Sequence, residues 1–227
     1  MSVETFAHIS QGTVPAVGLP GLLTPLIAYL FGTIPFGLIL TKIFLKIDIR
    51  STGSGNIGAT NVLRTGNKFL ALVTLLSDGL KGVTAIFILF AIQPDIFSWS
   101  YSFTASFIGL FAILGHCFPV WLKFKGGKGV ATTLGVLLAA VPYAGLAACA
   151  TWLLTAFIFK YSSLAALIAV AVAPVVTIFI YGPYSAFICL LIALLVWWRH
   201  KENIKRLING TEPKIGEKKK MQESSSA

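Results

Sequence analysis

Residues 162–182 read SSLAALIAVAVAPVVTIFIYG, a run without a single charged side chain. A helix rises about 1.5 Å per residue, so this run can cross the roughly 30 Å hydrocarbon core of a bilayer. Four further stretches are mostly apolar and lie at about 22–46, 68–92, 100–122 and 184–199. The pattern predicts an all-α protein that crosses a membrane several times.

The composition agrees with a membrane protein. Of the 227 residues, 56% are hydrophobic and 11% are charged, whereas roughly 25% are charged in a soluble domain. A net charge of +10 on a soluble surface would suggest nucleic acid as a partner. Here the basic residues lie between and after the apolar stretches, so we attribute them to membrane topology and expect no nucleic-acid partner.

The number of spans depends on the stretch 129–160, which is too long for one ordinary helix and contains Pro142. Flanking Lys and Arg prefer the cytoplasm. Only a break at Pro142 puts every basic loop on one side, and this predicts about seven transmembrane helices, with the N-terminus outside and the C-terminus cytoplasmic. Residues 130–141 are short for a full crossing. We expect an extracytoplasmic segment at 1–21, one catalytic transmembrane domain at 22–210 with its active-site loops on the cytoplasmic face, and a disordered basic tail at 211–227.

Three polar segments fall on the predicted cytoplasmic face. The first, residues 51–64, reads STGSGNIGATNVLR. Its glycines let backbone N–H groups point into one concavity, which suits an anion, and an arginine can hold a phosphate with two hydrogen bonds. The G-x-G-x-x-G at 53–58 is not a dinucleotide motif, because a membrane span rather than a strand precedes it. The candidate donors are Ser54, Asn56, Thr60, Asn61 and Arg64.

The second segment, residues 123–132, reads KFKGGKGVAT and places Lys125 and Lys128 beside Gly126 and Gly127 at the start of a helix. Its positive charge and flexible backbone favour phosphate. The third segment begins with RHKENI at 199–204. Its His200 and Asn203 are three residues apart and therefore share one helical face.

Asp78 and Lys81 are also three residues apart, but inside the second apolar stretch. A charge at mid-membrane costs about 2.5–3.5 kcal/mol, so such residues usually pair and face the bundle interior. We interpret them as an ion pair that borders the site, with a direct catalytic role as the alternative.

The three segments, in this order and spacing, resemble the signatures of the bacterial acyl-phosphate:glycerol-3-phosphate acyltransferases of the PlsY type. The likeness extends over about residues 22–216 and includes Gly210-Thr-Glu212 after the third segment. It implies transfer of a fatty acyl group from acyl phosphate to the 1-hydroxyl of glycerol 3-phosphate. The products are lysophosphatidic acid and inorganic phosphate, and the step belongs to phospholipid biosynthesis in the bacterial inner membrane.

The resemblance also implies roles for individual residues. The predicted catalytic residues are Ser54, His200 and Asn203. The predicted substrate-binding and phosphate-binding residues are Asn56, Thr60, Asn61, Arg64, Lys125, Gly126, Gly127 and Lys128. No metal and no cofactor are expected, because the acidic residues are too few and too scattered for a metal cage. The implied partners are glycerol 3-phosphate, fatty acyl phosphate, membrane lipid and, transiently, the enzyme that makes the acyl phosphate.

Two questions stay open at the level of the sequence. The base that takes the hydroxyl proton is either His200 or the phosphate of the acyl donor itself. The alternative function is that of a membrane transporter or channel for a phosphate compound. Turnover of acyl phosphate by the purified protein separates that alternative from an enzyme.

Overall fold

The computed structural model describes residues 19–92 and 101–216. In these ranges the chain forms helices and turns without a strand, which confirms the all-α prediction. A π-helical turn at Thr41–Leu45 extends the second helix. The helices, in chain order, are α1 (Leu19–Gly32), α2 (Phe36–Leu40), α3 (Ala59–Leu63), α4 (Lys68–Ile92), α5 (Tyr101–Cys117), α6 (Val130–Ala140), α7 (Pro142–Phe159), α8 (Ser162–Tyr181), α9 (Pro183–Arg199) and α10 (Lys201–Ile208).

The helices are long and apolar enough to confirm a protein with several membrane spans. Five segments in the described ranges meet the requirement, and α9 with α10, bent by 65° at His200, makes a sixth. The five segments are Leu23–Leu45, Lys68–Ile88, Tyr101–Leu122, Pro142–Phe159 and Ser162–Tyr181.

The stretch 129–160 is broken as the sequence predicts. Pro142 begins α7, where its missing N–H costs nothing. The turn is tight, since a Cβ on Gly145 would lie 2.5 Å from the backbone nitrogen of Leu138. With 11 residues, α6 covers about 16 Å, roughly half of the hydrocarbon core. The seven-span count and the orientation of the termini stay predictions.

Small residues hold the bundle together. A Cβ on Gly32 of α1 would lie 2.1 Å from the Ala112 carbonyl oxygen of α5, and one on Gly135 of α6 would lie 2.2 Å from the Gly79 carbonyl oxygen of α4. Lipid tails are as apolar as leucine, so membrane helices associate through close backbone contact of this kind. These contacts pack α1 against α5 and α6 against α4.

The polar segments meet at one end of the bundle. The side-chain oxygens of Thr60 and Ser162 are 3.1 Å apart, which joins the first turn of α3 to the start of α8. Arg199, at the end of α9, donates to the Gly127 carbonyl. Each intervening pair of helices therefore leaves this end and returns to it. This is the arrangement that the distribution of Lys and Arg predicts.

The packed part of the chain continues for a few residues beyond the predicted domain boundary at 210, which stays a prediction. Ile215 donates a backbone hydrogen bond of 2.7 Å to the Lys160 carbonyl, and the Glu212 side chain is only 7% exposed. Residues 211–216 are thus packed on the domain. The Glu212 carboxylate can be buried there because hydrogen-bond donors surround it. Most of the predicted N-terminal segment, the loop 93–99 and the tail beyond 216 lie outside the described residues.

Candidate active site

Asn61 organises the first polar segment. Its side chain is 1% exposed, and its amide nitrogen lies 3.1, 2.9 and 2.8 Å from the carbonyls of Ile49, Thr52 and Asn56. Its amide oxygen accepts a 3.0 Å hydrogen bond from the Ser54 backbone. These bonds occupy the Asn61 amide, so this predicted site residue shapes the loop from beneath and holds Ser54 at its exposed surface.

Arg64 lies across the same loop. Gly53 has a left-handed φ of 58°, and a Cβ there would lie 2.4 Å from the Asn61 amide oxygen and 3.1 Å from Cδ of Arg64. Glycine is needed at this position because a side chain would displace both. Arg64 is exposed with Ser54, and Asn56 is half-buried.

The two glycines of the second segment are already hydrogen-bonded within the protein. The Gly126 N–H donates to the Cys117 carbonyl and the Gly127 N–H to the His116 carbonyl, at 3.1 and 3.0 Å. Their own carbonyls accept from the Arg199 guanidinium at 3.0 and 3.1 Å. Neither N–H is therefore free to donate to the phosphate that the sequence analysis predicts at these two glycines. They instead allow the loop to pack closely, while Lys125 stands exposed at its rim.

Lys128 points from this loop into the site, where Nζ donates to Oδ1 of Asn203. Burial lowers the pKa of Lys128 to about 8; Glu212 opposes this shift and three guanidinium groups add to it. Those groups belong to Arg206, Arg64 and Arg199. Lys128 is therefore a cation at neutral pH, in a cluster with excess positive charge.

His200 lies where α9 ends, at the 65° bend. Its Nδ1 is 2.8 Å from the Val196 carbonyl oxygen, and a carbonyl can only accept, so Nδ1 carries the proton and Nε2 is the acceptor. Burial, with Lys128 next in effect, lowers the pKa of His200 to about 4. The imidazole is therefore neutral at physiological pH, not half-protonated near 6.5 as an unperturbed histidine would be.

Glu212 is the main site residue that the sequence analysis did not assign. It accepts hydrogen bonds of 2.7 Å from Ser163, Asn203 and Arg206. Burial alone would raise its pKa, but these bonds and the charge of Arg206 hold it below its usual value. The sequence feature that could have identified it was its position in the Gly210-Thr-Glu212 part of the family match. The sequence analysis also did not assign Arg199, which joins α9 to the glycine-rich loop at 123–129.

An apolar groove runs beside this polar cluster, between α8 and α9. It consists of two cavities of about 470 and 710 Å³ that share Ala171, Val175 and Trp197. The first is lined by Ile204 and Leu207 of α10. Helix α10 therefore separates the two environments, with its apolar residues on the groove and Asn203 in the polar cluster.

No group of three or more metal-ligating side chains converges anywhere in residues 19–92 and 101–216. The charged cluster is built from guanidinium and ammonium groups around one carboxylate. Such a cluster is suited to binding an anion directly.

Fold and site together define a multi-span integral membrane protein with a cationic polar cluster at one end of the bundle. The family model described as glycerol-3-phosphate acyltransferase matches residues 22–210, and the chain belongs to this family. This confirms the resemblance drawn from the three polar segments.

Similar proteins cover nearly the whole domain. A glycerol-3-phosphate acyltransferase of Agrobacterium fabrum is 54% identical over 198 residues, 86% of this chain and 92% of that protein. One of Rhodospirillum rubrum is 52% identical over 196 residues, covering 86% and 91%. The crystal structure of PlsY (YgiH), an integral membrane glycerol 3-phosphate acyltransferase in its glycerol 3-phosphate form, aligns with a TM-score of 0.78 at 38% identity, covering 86% and 95%. Its lysophosphatidic acid form aligns with a TM-score of 0.75.

Proposed function

We propose that this protein transfers a fatty acyl group from acyl phosphate to the 1-hydroxyl of glycerol 3-phosphate, in the inner membrane of a bacterium. The products are lysophosphatidic acid and inorganic phosphate. The observation that carries the proposal is the contact of Lys128 with Asn203 beside His200. It brings the second and third segments together next to Arg64, at the end of an apolar groove.

The charges of the site suit two phosphate-bearing substrates. Arg64, Lys125 and Lys128 provide the cations for the substrate phosphates, and charge-assisted hydrogen bonds of this kind contribute roughly 1.5–3 kcal/mol each. Ser54, Asn56 and Thr60 provide hydroxyl and amide groups for phosphate or glycerol oxygens. Three residues have an indirect role, because they shape the two loops: Asn61, Gly126 and Gly127.

The reaction needs alignment more than activation, because acyl phosphate is already a mixed anhydride. The 1-hydroxyl oxygen attacks the acyl carbonyl carbon, the bond from that carbon to the phosphate oxygen breaks, and phosphate leaves. The hydroxyl proton passes either to Nε2 of His200 or to an oxygen of the departing phosphate. The tautomer held by Val196 leaves Nε2 of His200 as an acceptor. It can take the proton of the 1-hydroxyl, or, when phosphate takes that proton, accept a hydrogen bond from the other hydroxyl of glycerol 3-phosphate.

The acyl chain fits the groove between α8 and α9. From Leu164 to Phe179 the groove follows 16 residues of α8, or about 22 Å, which suits an extended fatty chain. Because α10 separates this groove from Asn203 and His200, an acyl phosphate lying there has its chain in an apolar environment and its reactive head among the cations.

The decisive experiment compares acyl donors on the purified protein. Glycerol 3-phosphate should yield lysophosphatidic acid with palmitoyl phosphate in the presence of EDTA, and not with palmitoyl-CoA or palmitoyl-acyl carrier protein. A Lys128→Ala protein serves as the impaired control. Product from palmitoyl-CoA alone would refute the donor assignment. Uptake of glycerol 3-phosphate into proteoliposomes without turnover would favour the transporter.

A further inference from the structure

A buried ion pair lies beneath the glycine-rich loop. Nζ of Lys81 is 3.0 Å from Oδ1 of Asp78, and the two side chains are 2% and 3% exposed. This confirms the pairing predicted from their spacing. Both residues belong to α4, so the pair itself joins no two helices. Lys81 also donates to the Ile34 carbonyl at 3.0 Å, at the break between α1 and α2.

His116 continues this buried chain of polar groups. Its Nδ1 lies 3.6 Å from Oδ1 of Asp78, a buried electrostatic contact that is longer than a hydrogen bond, and the residue is 4% exposed. The opposite edge of the ring contacts the loop, where a Cβ on Gly127 would lie 2.0 Å from Nε2 of His116. The Gly127 N–H also donates to the His116 carbonyl. The imidazole therefore stands between Asp78 and the residue that precedes Lys128.

We propose that Asp78 and His116 are positioning residues for the substrate site. Asp78, held by Lys81, fixes the His116 ring; the ring supports Gly127, and the position of Gly127 sets where the Lys128 ammonium lies. The Arg199 guanidinium holds the same loop from above through the Gly126 and Gly127 carbonyls. This inference rests on the proposed function for the identity of the bound phosphate compound, glycerol 3-phosphate.

The test is a double-mutant cycle between Asp78 and Lys128. Isothermal titration of glycerol 3-phosphate gives Kd for the detergent-solubilised wild type, Asp78→Asn, Lys128→Ala and the double variant. Asp78→Asn should raise Kd about tenfold when Lys128 is present and less than about twofold in the Lys128→Ala protein, since residues that act through one another are not additive. Equal losses in both backgrounds would overturn the proposal.

Two further variants keep the test independent of folding. His116→Asn retains a polar group next to Asp78 but lacks the far half of the ring, so it should show the same coupling to Lys128 with little change in Tm. Ser106→Ala, a buried polar residue on the same helix α5, should leave Kd unchanged. An unchanged Kd in His116→Asn would contradict the role of the ring.

Turnover measurements separate this inference from the proposed function. A wild type that binds glycerol 3-phosphate with the expected coupling but does not turn over acyl phosphate contradicts the proposed function alone. Additive binding losses in an active enzyme contradict the positioning role alone. A wild type that does not bind glycerol 3-phosphate contradicts both.

Discussion

Lys128 donates a hydrogen bond to Asn203, a residue 75 positions further along the chain. The same Asn203 amide donates to Glu212, so a cation, an amide and a carboxylate form one line across the site. These hydrogen bonds join the glycine-rich loop to α10 and to residues 211–216, which follow α10. A change at Asn203 should therefore affect the positions of both Lys128 and Glu212.

Asn203→Ala should lower kcat/KM by about ten- to hundredfold. The substitution removes the acceptor for Lys128 and one of the donors to Glu212, and each lost bond to a charged group costs roughly 1.5–3 kcal/mol. Steady-state kinetics with both substrates measures the loss. Glu202→Ala changes the exposed neighbour on the same helix and is the control. Equal kinetics in the two variants would show that the line is not used.

The pKa of Lys128, lowered to about 8, predicts a loss of activity in mild alkali. The charged form is present below this pKa and disappears as the pH rises through it, whereas an arginine stays charged. The ratio of kcat/KM for wild type to that for Lys128→Arg should fall about tenfold per pH unit above about 8. Rate profiles from pH 6.5 to 9.5 measure this ratio. A constant ratio would mean that Lys128 keeps its ordinary pKa.

His200 should not titrate in the physiological range, because its pKa is lowered to about 4. The ratio of kcat/KM for wild type to that for His200→Gln should thus be constant from pH 5.5 to 7.5, since the ionisation of the substrates affects both proteins equally. A ratio that falls below pH 6.5 would contradict the neutral imidazole.

The same variant distinguishes positioning from base catalysis. Glutamine can still accept a hydrogen bond, so a positioning role predicts that KM for glycerol 3-phosphate rises more than kcat falls. A thousandfold loss in kcat at unchanged KM would make His200 the base.

Gly135→Ala should destabilise the bundle, whereas Gly79→Ala should not. A Cβ on Gly135 would lie 2.2 Å from the Gly79 carbonyl oxygen, but one on Gly79 would lie 3.5 Å from the Ala131 carbonyl oxygen, which is ordinary contact. Overpacking costs about 1–3 kcal/mol, so the apparent Tm of Gly135→Ala in detergent should drop by about 5 °C. Comparable Tm values for the two variants would contradict this packing.

Cysteine labelling tests the predicted orientation. Tyr184, at the start of α9, is 77% exposed and should lie outside, whereas the exposed Ser51 should face the cytoplasm. In intact spheroplasts of a strain carrying the protein without its native cysteines, a membrane-impermeant maleimide should modify Tyr184→Cys and not Ser51→Cys. The reverse labelling pattern would invert the topology.

The positions of the helices could be predicted from the sequence. The bilayer requires long apolar runs, and Lys and Arg collect on one side of it. The Asp78–Lys81 pair followed from a three-residue spacing in an apolar helix. The break at Pro142 followed from the length of the stretch 129–160 and from the placement of Lys and Arg in the flanking loops. Convergence of the three polar segments followed from their common side.

The direction of individual side chains could not be predicted in this way. Asn61 and Asn56 look alike in a glycine-rich segment, yet only contact with three carbonyls shows that Asn61 faces inwards. Glu212 begins a stretch rich in Lys, Glu and Ser, where a carboxylate is usually solvated. Its burial depends on Ser163 and Arg206, which are remote or unremarkable in the sequence.

The bend at His200 has a consequence for how molecules enter and leave the site. A molecule with one charged head and one long tail can lie astride α10, with the head among the cations and the tail in the groove between α8 and α9. Several groove residues, such as Phe179 and Leu194, are 84% and 56% exposed, so the tail can slip sideways into the surrounding leaflet. Small water-soluble compounds would instead come and go at the polar end. With two separate routes, a lipid product could leave through the groove without blocking the entry of the next polar substrate at the polar end.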